Sequence, residues 1–421
     1  SIGFLQALFT STSAVCVTGL VTVDTATHWT IFGQVVIMCL IQFGGLGIIT
    51  ITTFFFVLAR RRLGFKTLLL AQESTASFSF NDVTKLVRRI ILITLSIEGT
   101  GAFLLATRYV PAFGWKHGLF KSVFQAVSAF CNAGFDLMGD TASGKFSSLT
   151  AWNGEPLVIL VTAFLLIFGG LGFIVINSLL EFPKTRILPY HSKLVLIMTG
   201  ILLVSGAVFF FSVEFGNKAN GALGSLPFDQ RFVASFFQSA TPRTAGFNSI
   251  DQASLTDSSK IVTTLLMFIG AAPGSTGGGI KVTTFAMLLA SVYAELRGYE
   301  NTILLRHRIS RAVFNKSFLI MALGVFVIAT TTMVMTFAER SLLEAGKIST
   351  LDLVFEATSA FGTVGLSSAG TPSLSQPSWI MLILSMFIGR VGPASFAISL
   401  MQGAKPETRD KVYPDGRCIV G

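Results

Sequence analysis

The sequence predicts an all-α integral membrane protein: four repeats of helix, re-entrant pore helix and helix around one central pore, with the first helix of unit one missing. Three observations predict it, namely an apolar composition, a series of long apolar runs, and one short segment that recurs four times. Of 421 residues, 52% are hydrophobic and only 12% charged, and mean hydropathy is +0.70. A water-soluble domain of this length does not carry that balance.

Apolar runs lie near 31–59, 90–107, 156–180, 192–215, 258–293, 312–337 and 377–401. A helix needs about 20 apolar residues to cross a bilayer, so each run reads as one span. The formal charge of +10 does not indicate nucleic acid, because no soluble basic block collects it. Instead 19 of the 31 Lys and Arg fall in 60–89, 181–193, 297–316 and 405–417. The positive-inside rule makes these segments cytoplasmic. The longer, less basic connectors 108–155, 216–257 and 338–376 then lie outside. Cys16, Cys39, Cys131 and Cys418 form no C-x-x-C pair, so neither a disulfide framework nor a metal site is expected. The opening residues lack a basic start and a cleavage site, so no signal peptide is read and the chain begins part-way through a repeat.

The recurring segment is F-T-S-T-S-A-V-C-V-T-G-L (9–20), F-Q-A-V-S-A-F-C-N-A-G-F (124–135), F-F-Q-S-A-T-P-R-T-A-G-F (236–247) and F-E-A-T-S-A-F-G-T-V-G-L (355–366). In each, Phe stands ten residues before the glycine. A second echo follows inside the next apolar run: Q-F-G-G-L-G (42–47), I-F-G-G-L-G (167–172), M-F-I-G-A-A-P-G (267–274) and M-F-I-G-R-V-G-P (386–393). Internal repetition of this kind decides the architecture. It divides the chain into unit one (1–60, incomplete), unit two (61–181), unit three (182–297), unit four (298–405) and a cytoplasmic tail (406–421). With the missing helix restored there are eight membrane helices, and both termini are cytoplasmic.

A short segment ending in glycine at membrane depth exposes backbone that lipid cannot satisfy, so it must line an enclosed aqueous path. The helix before it turns the negative end of its dipole to the axis, and backbone carbonyls can replace an ion's hydration shell. Four such segments favour a cation. A lone glycine beside a membrane helix is usually a packing or turn residue; four aligned ones with the same upstream Phe specify more. The expected filter residues are Val17, Thr18 and Gly19; Asn132, Ala133 and Gly134; Thr244, Ala245 and Gly246; and Thr363, Val364 and Gly365. The last triplet, T-V-G, is the opening of the potassium-channel signature. Asp24, Asp136, Asp140 and Asp251 follow three of the segments and could draw cations to the outer mouth, but they read equally as ordinary solvated loop carboxylates.

The run 258–293 is broken by Pro273, Gly274, Ser275, Thr276, Gly277, Gly278 and Gly279, which cannot form regular helix. A loop there, just inside the filter, reads as a gate. A phosphate-binding loop is excluded, because Ile280 separates the last glycine from Lys281, Val282 follows instead of Ser or Thr, and no strand precedes it. Arg390 lies midway through 377–401, where a cation is costly in lipid. It is expected to face the pore, where its charge would oppose a cation's stay below the filter and could hydrogen-bond loop carbonyls. Arg243 and Glu356 are expected to pair as scaffolding.

These motifs resemble the Trk/Ktr/HKT superfamily of potassium transporters over nearly the whole chain. The resemblance rests on C-N-A-G-F, P-R-T-A-G-F-N-S, A-F-G-T-V-G-L, the interruption 273–279 and F-I-G-R-V-G-P around Arg390. The closing Y-P-D-G (413–416) is similar to the KtrB-type membrane subunits within it. The resemblance implies a homodimer with one pore per subunit, set on a cytosolic ring of KtrA-like nucleotide-binding regulatory subunits. It also implies that sodium promotes potassium uptake, that 273–279 is the intramembrane gate, and that Gly19, where sodium-preferring plant relatives carry serine, goes with potassium.

The expected function is therefore gated, channel-like potassium uptake across the cell membrane, with no enzymatic chemistry. No covalent cofactor is expected, and nucleotide only through the partner subunit. The competing reading is a secondary transporter for another cation or a small solute, a class that also uses repeats and broken helices.

Overall fold

The computed structural model describes residues 2–47, 80–141, 144–299 and 301–392. The second half of the run 31–59, most of the basic stretch 60–89, Pro393 and the tail with Cys418 and Y-P-D-G lie outside the described residues.

In chain order the main helices are α1 (Phe4–Cys16), α2 (Ile31–Leu46), α3 (Phe80–Phe113), α4 (Trp115–Phe130), α5 (Pro156–Leu171), α6 (Phe173–Thr185), α7 (Tyr190–Glu214), α8 (Phe228–Ala240), α9 (Asp257–Phe268), α10 (Val282–Leu296), α11 (Arg311–Ala338), α12 (Thr350–Gly362) and α13 (Gln376–Val391). A two-stranded hairpin, Ile303–Leu304 against His307–Arg308, joins α10 to α11.

Three stretches, Val87–Phe113, Tyr190–Glu214 and Arg311–Ala338, are long and apolar enough to cross a membrane. They carry their apolar residues outward. In α7, Ile197, Ile201, Val204 and Val208 are exposed, while Leu194, Thr199, Leu203, Gly206 and Phe210 face inward. An apolar stripe at helical spacing on the outside is the reverse of a soluble helix and suits contact with lipid.

Two of the remaining apolar runs, 156–180 and 258–293, are not single continuous helices, which corrects the sequence reading. The run 156–180 is two helices, α5 and α6, bent by 100°. The bend falls at Gly172 (φ 86°), α2 stops at Gly47 (φ 82°) and α13 at Gly392 (φ 93°). Glycine supplies this left-handed conformation without a Cβ penalty. In the third case α9 ends at Phe268 and α10 begins at Val282, so the interruption is wider than 273–279. A helix end thus recurs in all four echoes; in the second the next helix follows at once, and in the third the break widens into a loop.

The glycines of the echo have a second use. A Cβ on Gly44 would strike the Val15 carbonyl, one on Gly169 the Phe130 carbonyl, and one on Gly389 the Phe361 carbonyl. These carbonyls belong to the residue four before Gly19, Gly134 and Gly365. The echo therefore lets α2, α5 and α13 pack backbone to backbone against the last turns of α1, α4 and α12, a small-residue contact of the kind membrane helices use.

Candidate functional site

The short helices α1, α4, α8 and α12 end at Cys16, Phe130, Ala240 and Gly362, each just ahead of the residue that stands two before a recurring glycine. Those residues, Val17, Asn132, Thr244 and Thr363, all have positive φ, at 57°, 59°, 66° and 49°. Such a conformation costs a non-glycine residue about 1–3 kcal/mol and persists only where surroundings impose it. Four repeats of it at one position make this backbone the candidate site. Two residues on, Gly19, Gly134, Gly246 and Gly365 have φ of 94°, 70°, 78° and 97°.

The backbone after each helix is tied back to it. Thr18 N–H donates to Ser13 O, Ala133 N–H to Ser128 O and Val364 N–H to Ser359 O, each at 2.8 Å, while Ala245 N–H donates to Thr241 O at 3.0 Å. In a trans peptide the carbonyl points opposite to the N–H. The carbonyls of Val17, Asn132, Thr244 and Thr363 are therefore aimed away from their helices.

The four segments meet. A methyl placed on Gly19 would lie 2.9 Å from Gly134 Cα; on Gly134, 3.1 Å from Gly246 Cα; on Gly246, 3.1 Å from Gly365 Cα; on Gly365, 3.0 Å from Gly19 Cα. The glycines thus form a closed ring in sequence order. On one side of the ring opens a cavity of ≈ 520 Å³, bounded by all four glycines and by Asp24, Asp136 and Asp251 among others. Asp24 is already engaged, accepting from Thr27 N (2.8 Å) and Phe146 N (3.0 Å). Asp140 pairs with Lys121 at 2.5 Å.

On the other side lies the loop between α9 and α10. Its base is pinned by Gly270 N to Ile280 O (2.8 Å) and Val282 N to Ala271 O (3.1 Å). From there it crosses the site. Ala272 N donates to Gly170 O (3.0 Å) and Thr276 Oγ1 to Phe130 O (3.2 Å). At the far end Gly278 N donates to Thr363 Oγ1 (3.1 Å) and Gly279 N to Gly389 O (3.3 Å). Arg390 donates to both Thr276 O and Gly44 O, so a side chain of α13 carries the crossing on to α2. Lys281 Nζ donates to Gly277 O (2.6 Å) and Gly278 O (3.3 Å). The structure thus brings Arg390, Lys281 and residues 273–279 together beneath the glycine ring.

Residues 1–405 match the family model described as TrkH, cation transport protein. The chain belongs to the TrkH family of cation transport proteins. Among similar TrkH-family chains is the Ktr system potassium uptake protein B of Bacillus subtilis, 40% identical over 100% of this chain and 90% of that one. Another is the potassium/sodium uptake protein NtpJ of Enterococcus hirae, 38% identical over 99% and 90%. The crystal structure of the potassium transporter TrkH from Vibrio parahaemolyticus superposes with a TM-score of 0.70 at 18% identity, covering 96% of this chain and 79% of that one. The likeness extends to the fold. Like the rest of the TrkH family, the chain is a membrane protein.

One expected contact does not form. Arg243 donates to Thr199 Oγ1 (3.2 Å), and Glu356 accepts from Thr371 instead. Arg243 sits three residues before Gly246, and its backbone turns the guanidinium outward to α7.

Four hydroxyls escaped the sequence reading. Ser13, Ser128 and Ser359 each stand six residues before a recurring glycine, and Thr241 five before. All four bond the backbone of the glycine segments. The repeat alignment itself carried the signal, since serine recurs at that position in three of the four segments.

Proposed function

We propose that this chain is the translocating subunit of a potassium-uptake system, passing K⁺ down its electrochemical gradient through a filter made of the four glycine segments. The observation that carries this reading is the closed ring of four glycines, each preceded by a strained residue whose carbonyl is turned from its helix. Such carbonyls substitute for hydration water without a charged ligand. The ends of α1, α4, α8 and α12 add the negative poles of four helix dipoles. Each repeat unit then contributes one re-entrant pore helix, and the cavity beside the ring is the outer vestibule.

The loop 273–279 with Arg390 is the gate. A loop held by hydrogen bonds from one side of the pore to the other closes the path directly beneath the filter, and Arg390 places a fixed positive charge there. The relatives' names, Ktr system potassium uptake protein B and potassium/sodium uptake protein NtpJ, support potassium uptake, a part for sodium and a multi-subunit Ktr-type system; within that setting we place a homodimer in the plasma membrane above a KtrA-like nucleotide-binding ring. The basic segments 181–193 and 297–316 support a cytoplasmic position for that ring.

The test is flux into liposomes containing the purified chain. K⁺ uptake exceeding Na⁺ uptake, with neutral organic solutes excluded, is expected. Gly246→Ser should abolish the preference, because the substitution strains a positive φ and drives a side chain into the Val364 carbonyl. Retained preference in that variant, or uptake of an organic solute in place of K⁺, would overturn the reading.

A further inference from the structure

The four glycine segments differ in how their hydroxyls are used. Ser13 Oγ accepts from the N–H of Gly19 at 3.0 Å, and Ser359 Oγ from the N–H of Gly365 at 3.1 Å. In the other two the hydroxyl reverses role and reaches one residue further: Ser128 donates to the Phe135 carbonyl at 2.6 Å, and Thr241 to the Phe247 carbonyl at 2.7 Å. All four side chains are fully buried.

Three independent features divide along the same line. Backbone φ at the glycine is 94° and 97° in segments one and four, but 70° and 78° in segments two and three. The residue before the glycine is β-branched in the first pair, Thr18 and Val364, and alanine in the second, Ala133 and Ala245. The residue after it is Leu20 or Leu366 in the first pair and Phe135 or Phe247 in the second. Since Gly365 neighbours Gly19 and Gly134 neighbours Gly246, each pair is a contiguous half of the ring.

The chemistry follows from the planar peptide. When the Gly19 N–H is held by Ser13, the Thr18 carbonyl in the same peptide plane is fixed pointing away from the helix. Ser359 fixes the Val364 carbonyl in the same way. On the other half, Ser128 and Thr241 fix the carbonyl after the glycine by turning it back towards the helix. We propose that Ser13 and Ser359 are specificity-determining positioning residues, holding the Thr18 and Val364 carbonyls apart as a rigid jaw that does not close around an ion smaller than K⁺, while Ser128 and Thr241 shape only the outer rim. The inference rests on the reading of these segments as the ion filter.

The experiment compares K⁺ and Na⁺ flux in liposomes for Ser13→Ala, Ser359→Ala, Ser128→Ala and Thr241→Val, with Gly246→Ser as reference. Ser13→Ala and Ser359→Ala are each expected to lower the K⁺/Na⁺ flux ratio about fivefold, the factor set by one lost hydrogen bond. Ser13→Thr, which keeps the hydroxyl, restores the ratio. Ser128→Ala and Thr241→Val lower K⁺ flux but shift the ratio by less than about twofold, since the carbonyl they release faces the helix. An unchanged ratio in Ser13→Ala and Ser359→Ala, or equal loss in all four, overturns the proposal. Should an alanine variant fail to assemble, Ser13→Cys and Ser359→Cys keep the volume with a poor acceptor and give the same reading. If Gly246→Ser keeps its selectivity, the filter reading itself has failed; if only the serine variants do, the filter stands and the jaw does not.

Discussion

Arg390 and Thr276 are joined by a hydrogen bond between residues 114 positions apart in the chain, where the loop between α9 and α10 passes under the end of α13. The same guanidinium bonds Gly44 O, so one side chain ties the loop to two elements. Removing it should free the loop. Hydrogen bonds from a charged donor contribute about 1.5–3 kcal/mol each. Arg390→Ala is therefore expected to raise K⁺ flux by about tenfold or more in a transport-deficient host, without changing protein level. Unchanged flux would remove Arg390 from the gate.

Lys281 supports the loop from beneath through the carbonyls of Gly277 and Gly278. It lies next to the first turn of α10 and, among the described residues, bonds only the loop, so its loss loosens the loop without cutting the crossing to α2. Lys281→Met, which keeps the apolar stem, should raise flux several-fold less than Arg390→Ala does. The double variant should add little to Arg390→Ala alone, because both act on one closed state. Fully additive effects on the logarithm of flux would place the two residues in separate devices.

The close packing at Gly169 and Gly389 gives a prediction about stability. A Cβ on either would meet backbone carbonyl, of Phe130 and Phe361 respectively, and backbone cannot rotate aside. Overpacking of this kind costs about 1–3 kcal/mol. Gly169→Ala and Gly389→Ala should each lower the thermal midpoint in detergent. Gly200→Ala serves as the control, since Gly200 lies within helix α7 with nothing near its Cβ position. It should be neutral or slightly stabilising. Equal midpoints for all three variants would contradict the backbone contact.

Much of this was legible in the sequence because repetition multiplies weak signals. Glycine after a helix says little once; aligned four times with Phe ten residues before it, it located every segment of the ring. The interruption at 273–279 was equally plain, since Pro273 and four glycines exclude helix whatever surrounds them. What the sequence concealed depends on rotation and distance between elements. The positive φ of Val17 is invisible because a β-branched residue ordinarily avoids it, and only the surrounding packing imposes it. The Arg243–Glu356 pairing failed for a similar reason: adjacency around the ring does not determine which way a side chain leaves its backbone. The echo Q-F-G-G-L-G was seen as a repeat, yet its two uses, admitting a carbonyl and ending the helix, required coordinates.

The pair Lys260–Asp352 yields a pH dependence whose sign can be worked out. Lys260 Nζ lies 2.7 Å from Asp352 Oδ1, and both side chains are 10% exposed. Asp352 also accepts from Ser349 N (2.9 Å), Ser349 Oγ (2.8 Å) and Ser368 Oγ (2.8 Å), closing the start of α12 as a capping box. Burial works to raise the carboxyl pKa, but these bonds, led by Lys260, outweigh it and hold it below the usual carboxylate range. A carboxyl depressed in the folded state contributes stability that is complete above its unfolded value, near 4, and is lost as pH falls through the folded value. The thermal midpoint should therefore show no pH dependence from this group between pH 8 and about 5, where its contribution is complete, then an acid limb below about 4. Asp352→Asn should cost about 3 kcal/mol at neutral pH by leaving Lys260 buried without its partner, and should flatten that limb. A variant that keeps the full acid limb would mean that other carboxylates carry it and that Asp352 contributes no charge-dependent stability to the fourth segment.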